Sequence, residues 1–412
     1  MRFPTSKMSK AVCFVCLVLL LRGKGSAATG SQQMQNAAPS RVTSNFATIS
    51  AQADAARDAD RIEEAEPLYK KALALRPNWA EGWWSLGTIA YDRNAYSEAA
   101  HAFQKVTTLA AKNGNAYVML GLSEFELGRD LPALQHLEKG AALGLSEDAN
   151  LRHVALYHEG VLLQRAGKFQ AAQETLEQLC LQGVQSPQAI TNLGMVLLRM
   201  RDREAPTAGS DDVTIVSRIG DAGCLAAQKK FDASKKELSE VVSQHPEYPK
   251  IHYAFGIVLM EANDLDGADA EFKQEIENNP TDLVSRLQIA ASMYKTNSAE
   301  GLPYAEEAVK LAPQQPFAHY LLGLLLLDTD DFQGAIPELE IAREAFPRES
   351  RIYLALGTAY SRAGRKQEAA RARGKFTRLN EEKKSIPNSE QGSQLPGSGQ
   401  IRVGDMQIAP PH

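Results

Sequence analysis

Eight histidines and four cysteines are the side chains of this 412-residue chain best suited to hold a metal or attack a substrate. Their spacing argues against both. A zinc helix places two histidines four residues apart with a glutamate beside the first. Here His153 and His158 are five apart, and His158-Glu159 has no later histidine in register. His245 and His252 fall on different expected helices, so the imidazoles are expected to be scattered over the surface. Cys180 and Cys224 lack metal-ligand spacing. A disulfide needs Cα atoms within about 7 Å, and an irregular stretch separates the two, so buried free thiols are the preferred expectation. Pairing stays open if the chain is exported. Ala208-Gly209-Ser210-Asp211 is not a nucleophile elbow, and no phosphate loop occurs. No catalytic residue, metal or cofactor is expected, and the chain is expected not to be an enzyme.

Composition agrees with a binding role. Apolar residues make up 44% and charged residues 23%, enough for a buried core. With 45 basic against 50 acidic residues the net charge is −5, which gives no reason to expect a nucleic-acid partner.

Residues 1–28 have the pattern of an export signal. Arg2, Lys7 and Lys10 precede an eleven-residue apolar run, Ala11 to Leu21, and Ser26-Ala27-Ala28 supplies small residues for cleavage. A spanning helix needs about 20 apolar residues, so an anchor at 11–21 is the alternative rather than the expectation. Removing this segment leaves 40 basic against 50 acidic residues, a net of −10, and two cysteines. The mature chain is expected in the periplasm or outside the cell.

The elements emerge from a period. Small residues recur at Gly87, Gly121, Gly160, Gly194, Gly256, Ala290, Gly323 and Gly357, with spacings of 34, 39, 34, 62, 34, 33 and 34. A second small residue follows twelve positions on (Ala99, Ala133, Ala172, Ala268, Ala335, Ala369), and a bulky one four later (Phe103, Leu137, Leu176, Phe272, Leu339). Each unit therefore holds two helices that cross where side chains are smallest. The bulky residue fills the space beside the crossing. Proline closes several units, at Pro77, Pro246, Pro280, Pro313 and Pro347. Units are expected to begin near Phe46, Ala80, Gly114, His153, Pro187, Ile215, Pro249, Leu283, Pro316 and Ser350. The unit from Pro187 lacks its second helix: residues 202–212 carry two breakers and no apolar period. Extended, they could run back along the missing helix and start another first helix near Val213.

Trp83-Trp84-Ser85-Leu86-Gly87 with Ala99 and Phe103, and Tyr353, Leu356, Gly357 and Tyr360 with Gly364 and Ala369, closely resemble the tetratricopeptide repeat. The resemblance covers residues 46–383. It implies an all-α fold, a right-handed α-solenoid of antiparallel helix pairs in nine to ten repeats. The expected domains are a signal peptide at 1–28, a flexible linker at 29–45, one sub-solenoid at 46–201 and an irregular loop at 202–212. A second sub-solenoid at 213–383 ends in a polar cap, and a disordered tail follows at 384–412.

The resemblance also implies where a partner would bind, since the first helix of each unit lines the concave face. The matching positions are Trp84, Thr88, Tyr91; Val118, Leu122, Phe125; Tyr157, Val161, Gln164; Tyr253, Ile257, Met260; Leu287, Ala291, Tyr294; and Tyr320, Leu324, Leu327. The lysine, asparagine and arginine that clamp a C-terminal carboxylate in one branch of the family are absent here. An aromatic and aliphatic lining suits an apolar or extended peptide, a partner helix or a lipid-like chain; the alternative is that these residues pack against adjacent units and meet no ligand.

A second surface feature is basic. Between Arg343 and Arg378 ten basic residues, among them Arg351, Arg362, Arg365, Lys366, Arg371 and Arg373, face three acidic ones, a local charge of +7. This end could dock an acidic partner or an anionic membrane surface. The expected function is a non-enzymatic scaffold that binds a peptide, helix or apolar segment of a protein partner in the groove. The alternatives are a structural subunit of a cell-envelope complex, or a regulatory module for an enzyme acting in trans, with a monomer and a self-assembled form both open.

Overall fold

The computed structural model describes residues 41–145, 149–201, 204–207 and 209–385. The expected signal peptide, residues 29–40 of the expected linker and the tail beyond 385 lie outside the described residues. Among the described residues the fold is all-helical, and it forms two compact units, Met1–Ala166 and Gly167–His412. It is an α-solenoid of helix pairs.

Unit one contains α1 (Arg41–Asp58), α2 (Ile62–Leu75), α3 (Ala80–Asp92), α4 (Tyr96–Leu109), α5 (Gly114–Glu126), α6 (Asp130–Leu143) and α7 (Ala149–Arg165). Unit two contains α8 (Phe169–Leu181), α9 (Pro187–Leu197), α10 (Asp211–Ala227), α11 (Phe231–Gln244), α12 (Ile251–Glu261) and α13 (Leu265–Asn278). It continues with α14 (Leu283–Met293), α15 (Ser298–Leu311), α16 (Pro316–Asp328), α17 (Phe332–Ala345), α18 (Ser350–Arg362) and α19 (Lys366–Ser385).

The period dictates this register. The turn between the helices of a pair places one residue at positive φ. It is an Asn, Asp or Gly in seven of the nine pairs among the described residues (Asp60, Asn94, Gly128, Gly167, Asn263, Asp330, Gly364) and a lysine in two (Lys229, Lys295). Asn, Asp and Gly tolerate that conformation best, so the turn chemistry is written in the sequence. The backbone closes the helix behind it, as Ala95 N–H donates to the Ala90 carbonyl at 2.8 Å. At the crossings of Gly87, Gly121, Gly256 and Gly323 the bulky second-helix residue sits on the small first-helix residue. Phe103 and Phe272 are fully buried, and a Cβ on Gly87 or Gly256 would press into their rings.

Helix α1 starts at Arg41, inside the expected linker. Nothing between Arg41 and Phe46 breaks a helix, so the chain continues helically ahead of its anchor. That anchor is Phe46, buried edge-on against Trp79 at 5.2 Å with the Arg76 guanidinium 3.8 Å above its ring.

The irregular unit from Pro187 contains one helix, α9. Arg199 takes the left-handed conformation and Met200 N–H donates to the Met195 carbonyl at 2.8 Å, so α9 is closed as the first helix of any pair would be. Among the described residues no second helix follows before α10. Instead α10 lies directly on α9, and their contacts ascend together: Thr191 Oγ1 is 2.9 Å from Ser217 Oγ, and a Cβ on Gly223 would meet Leu197. The two helices therefore run parallel. The backbones touch: a Cβ on Gly194 would strike the Val216 carbonyl, and one on Gly220 the Ile190 carbonyl. The described residues on both sides of 202–212 belong to unit two, and the division between compact units falls at Ala166–Gly167. The missing helix lets α9 and α10 pack directly, which holds this stretch together.

The same omission corrects the cysteine expectation. Cys180 on α8 and Cys224 on α10 form a disulfide, with Cα atoms 5.3 Å apart across 44 residues of sequence. Without a second helix after α9, α10 reaches α8, where Gln228 Nε2 also donates to the Cys180 carbonyl at 3.1 Å.

Candidate functional site

In unit one the aromatic first-helix positions are held by neighbours yet remain partly open. Trp84 sits edge-on to Phe103 at 5.4 Å, and Tyr91 edge-on to Tyr96 at 5.4 Å. Phe125 meets His158 at 4.6 Å, and Tyr157 meets the same imidazole at 5.2 Å. Thr88 uses its hydroxyl on the Ser85 carbonyl at 2.9 Å. Trp84, Thr88, Tyr91, Phe125 and Tyr157 are half-buried, whereas Val118, Leu122 and Val161 are buried and belong to the packing between helices. Gln164 is buried as well. Val118 faces its own second helix, where a Cβ on Gly140 would meet it.

Charge gathers at the same face. Arg165 donates to Asp130 Oδ1 at 3.1 Å and places its guanidinium 4.7 Å from the Phe125 ring centre. Burial pushes the Glu126 carboxyl up, with Arg165 opposing. Burial also raises the Tyr91 hydroxyl, and Glu126, Tyr96 and Asp92 add to the shift. Burial, followed by the charge of Glu138, lifts Glu159 to about 7.

In unit two the corresponding positions are mostly consumed by packing. Tyr253, Leu287, Ala291, Tyr320 and Leu324 are buried, while Ile257, Met260, Tyr294 and Leu327 are half-buried. Tyr320 and Leu324 lie inside the core built by α14 to α19. These buried side chains are not available to a ligand in this conformation. Arg199 lies 4.7 Å from Phe169 and 5.8 Å from Tyr253, covering the latter ring.

Two histidines expected on the surface are buried clasps. His252 Nδ1 lies 2.6 Å from Glu271 Oε2 and its Nε2 lies 2.9 Å from the Pro246 carbonyl. His319 repeats the arrangement with Glu338 at 2.5 Å and the Pro313 carbonyl at 2.9 Å. Burial pulls the His252 pKa down, but Glu271, through hydrogen bond and charge, leaves it raised. The signal was a spacing: each histidine stands six residues after a proline. Trp83 after Pro77 and Tyr353 after Pro347 donate to the proline carbonyl in the same way, at 2.8 and 2.9 Å. A donor here ties the start of a first helix to the preceding turn.

At the basic end, Arg351 pairs with Glu349 at 3.0 Å, Arg365 pairs with Glu368, and Arg362 lies 5.7 Å from the Phe332 ring. Lys366, Arg371 and Arg373 are exposed, with no carboxylate at ion-pair distance among the described residues. No helix among the described residues is long and apolar enough to cross a membrane, and no cluster of three or more His, Cys, Asp and Glu there could hold a metal.

The architecture defines the class: helix pairs of a 34-residue period with a small-on-bulky crossing. The tetratricopeptide repeat family matches residues 50–116, 291–339 and 320–373. Residues 50–116 and 291–373 are thus tetratricopeptide repeats, and the repeat supports a protein-binding role. Among curated proteins it is similar to the protein O-mannosyl-transferase TMTC3 of Homo sapiens, 22% identical over 281 residues. That match covers 64% of this chain and 30% of the relative, so the chain spans under a third of that protein. Among solved structures it is similar to MamA residues 41-end from Desulfovibrio magneticus RS-1, at 22% identity and a TM-score of 0.37, over 42% of this chain and 96% of that one. Yeast Tom70 is similar at 13% identity and a TM-score of 0.31, over 82% of this chain and 85% of that one.

Proposed function

We propose that this chain is a non-enzymatic scaffold that binds an extended or helical segment of a partner protein along the first-helix face of unit one. The observation that carries the reading is the set Trp84, Tyr91, Phe125 and Tyr157: four large aromatics, half-buried and fixed by edge-on contacts. Rigid aromatics lose little entropy on binding, and each apolar anchor yields about 1.5–3 kcal/mol when covered. Three or four anchors support affinities of order micromolar after the cost of association. Within unit two, Ile257, Met260 and Tyr294 are the half-buried first-helix positions.

The chain is also proposed to act after export, in the periplasm or outside the cell. The Cys180–Cys224 disulfide supports an oxidising compartment, as does the signal-like pattern at 1–28. The match to an O-mannosyl-transferase favours one second reading, a module that presents a protein to an enzyme acting in trans.

The test is selection from a randomised peptide library displayed on phage. Peptides with apolar anchors should be enriched on the wild-type protein and lost on the Trp84→Ala/Tyr91→Ala variant, whose circular dichroism should remain helical. Equal enrichment on both proteins would remove unit one's aromatic face from the mechanism.

A further inference from the structure

Independently of unit one, we infer that the open face of α18 and α19 takes an acidic amphipathic helix from a partner protein, seated where a further first helix would stack. One repeat earlier, α18 itself packs on α16 and α17, and Tyr320, Leu324, Ile336 and Leu339 are buried in that core. Thirty-four residues on, the same positions are Leu354, Thr358, Ala370 and Arg373. All four are exposed, Leu354 to 49%. Among the described residues α19 is the last helix, and no other helix lies on this face.

The side chains define what fits. Arg373 holds the place that Phe103, Phe272 and Leu339 hold at other crossings, and its stem sits as theirs do. A Cβ on Gly357 would come within 3.1 Å of Arg373 Cγ. The residue is exposed overall, so the stem covers the crossing and the charge stands in solvent. Arg362, Lys366 and Arg373 have no carboxylate at ion-pair distance among the described residues, whereas Glu349 and Glu368 are engaged by Arg351 and Arg365. A cap built only for solubility is polar on its outer face. Here Leu354 and the half-buried Phe376 keep the face partly apolar. A second copy of the same face would set like charges opposite one another. Carboxylates beside an apolar anchor complement it instead. One repeat earlier this geometry already seats a helix, so a helical segment is the form that fits.

The test is a phage library of helical peptides selected on the full chain. Peptides with Asp or Glu around an apolar residue should be enriched on wild type and depleted on Leu354→Ser and on Arg373→Gln. Glutamine keeps the stem that covers Gly357, and Leu354 is exposed, so both variants should melt like wild type. A synthetic peptide of the enriched sequence should bind Leu354→Ser roughly fivefold more weakly and Arg373→Gln about threefold more weakly. Replacing its carboxylates with amides should weaken binding to wild type by about tenfold, a measurement that needs no variant. No acidic family among the enriched peptides, or one that both variants and the amide peptide leave unchanged, overturns the inference. Sedimentation with phosphatidylglycerol vesicles that Arg373→Gln abolishes, without any acidic peptide, also overturns it and assigns the face to an anionic membrane.

Discussion

The two compact units use one repeat in opposite ways. In unit one, Trp84, Tyr91, Phe125 and Tyr157 stay half open. In unit two, Tyr253 and Tyr320 at matching positions are buried, histidine clasps fix two repeat turns, and a disulfide joins α8 to α10. A repeat period therefore fixes which helix a residue belongs to, but neighbours decide whether it binds or packs. Unit two also holds the one departure from helix pairing among the described residues, the parallel helices α9 and α10.

The sharpest way to break this contrast is to remove the disulfide. Closing a loop of 44 residues contributes about 4 kcal/mol in the chain-entropy account. Cys180→Ser/Cys224→Ser should lower the melting temperature, and hydrogen exchange should quicken in α8 and α10 while α3 to α6 keep their rates. Uniform quickening would mean that the two units unfold together. Next in size, Gly194→Ala drives a methyl group into the Val216 carbonyl and should destabilise unit two by about 3 kcal/mol in urea unfolding. Tolerance of the methyl would show that α9 and α10 can separate.

Two smaller effects depend on pH. Burial, then the neighbouring Glu261, lifts Glu177 to about 8, while Gln173 Nε2 donates to both carboxylates, at 2.7 and 2.8 Å. A folded-state pKa above the unfolded value means that an acid weakens the fold as pH rises. Glu177→Gln should therefore raise the melting temperature by a few degrees at pH 8 and leave it unchanged at pH 4. An equal gain at both values would point to packing instead. His252 has the smallest effect. Its raised pKa gives stability that is complete below the unfolded value of about 6.5 and lost as pH climbs through the folded value. His252→Gln should flatten unit two's melting curve against pH between 6 and 9, and an unchanged slope would assign that titration to other groups.

Much of this was legible in advance. The starts of α3, α5, α9, α14, α16 and α18 fall on the residues expected from the period, because small residues, turns and prolines are local signals. The candidate face was legible only as a pattern. Position after the signature glycine identifies Leu122 and Thr88 alike, yet one is buried and the other half open.

The sequence alone determined the helix pairs, the register and, among the described residues, the lack of a second helix between α9 and α10, since all three rest on composition and period within one stretch of chain. Only the tertiary structure decided what that absence does. With α9 alone in its unit, α10 packs in parallel on the Gly194–Gly220 contact, Cys224 reaches Cys180, and two cysteines separated by 44 residues come within bonding distance. Local pattern sets what a segment becomes, but proximity between distant segments depends on the segments that pack between them.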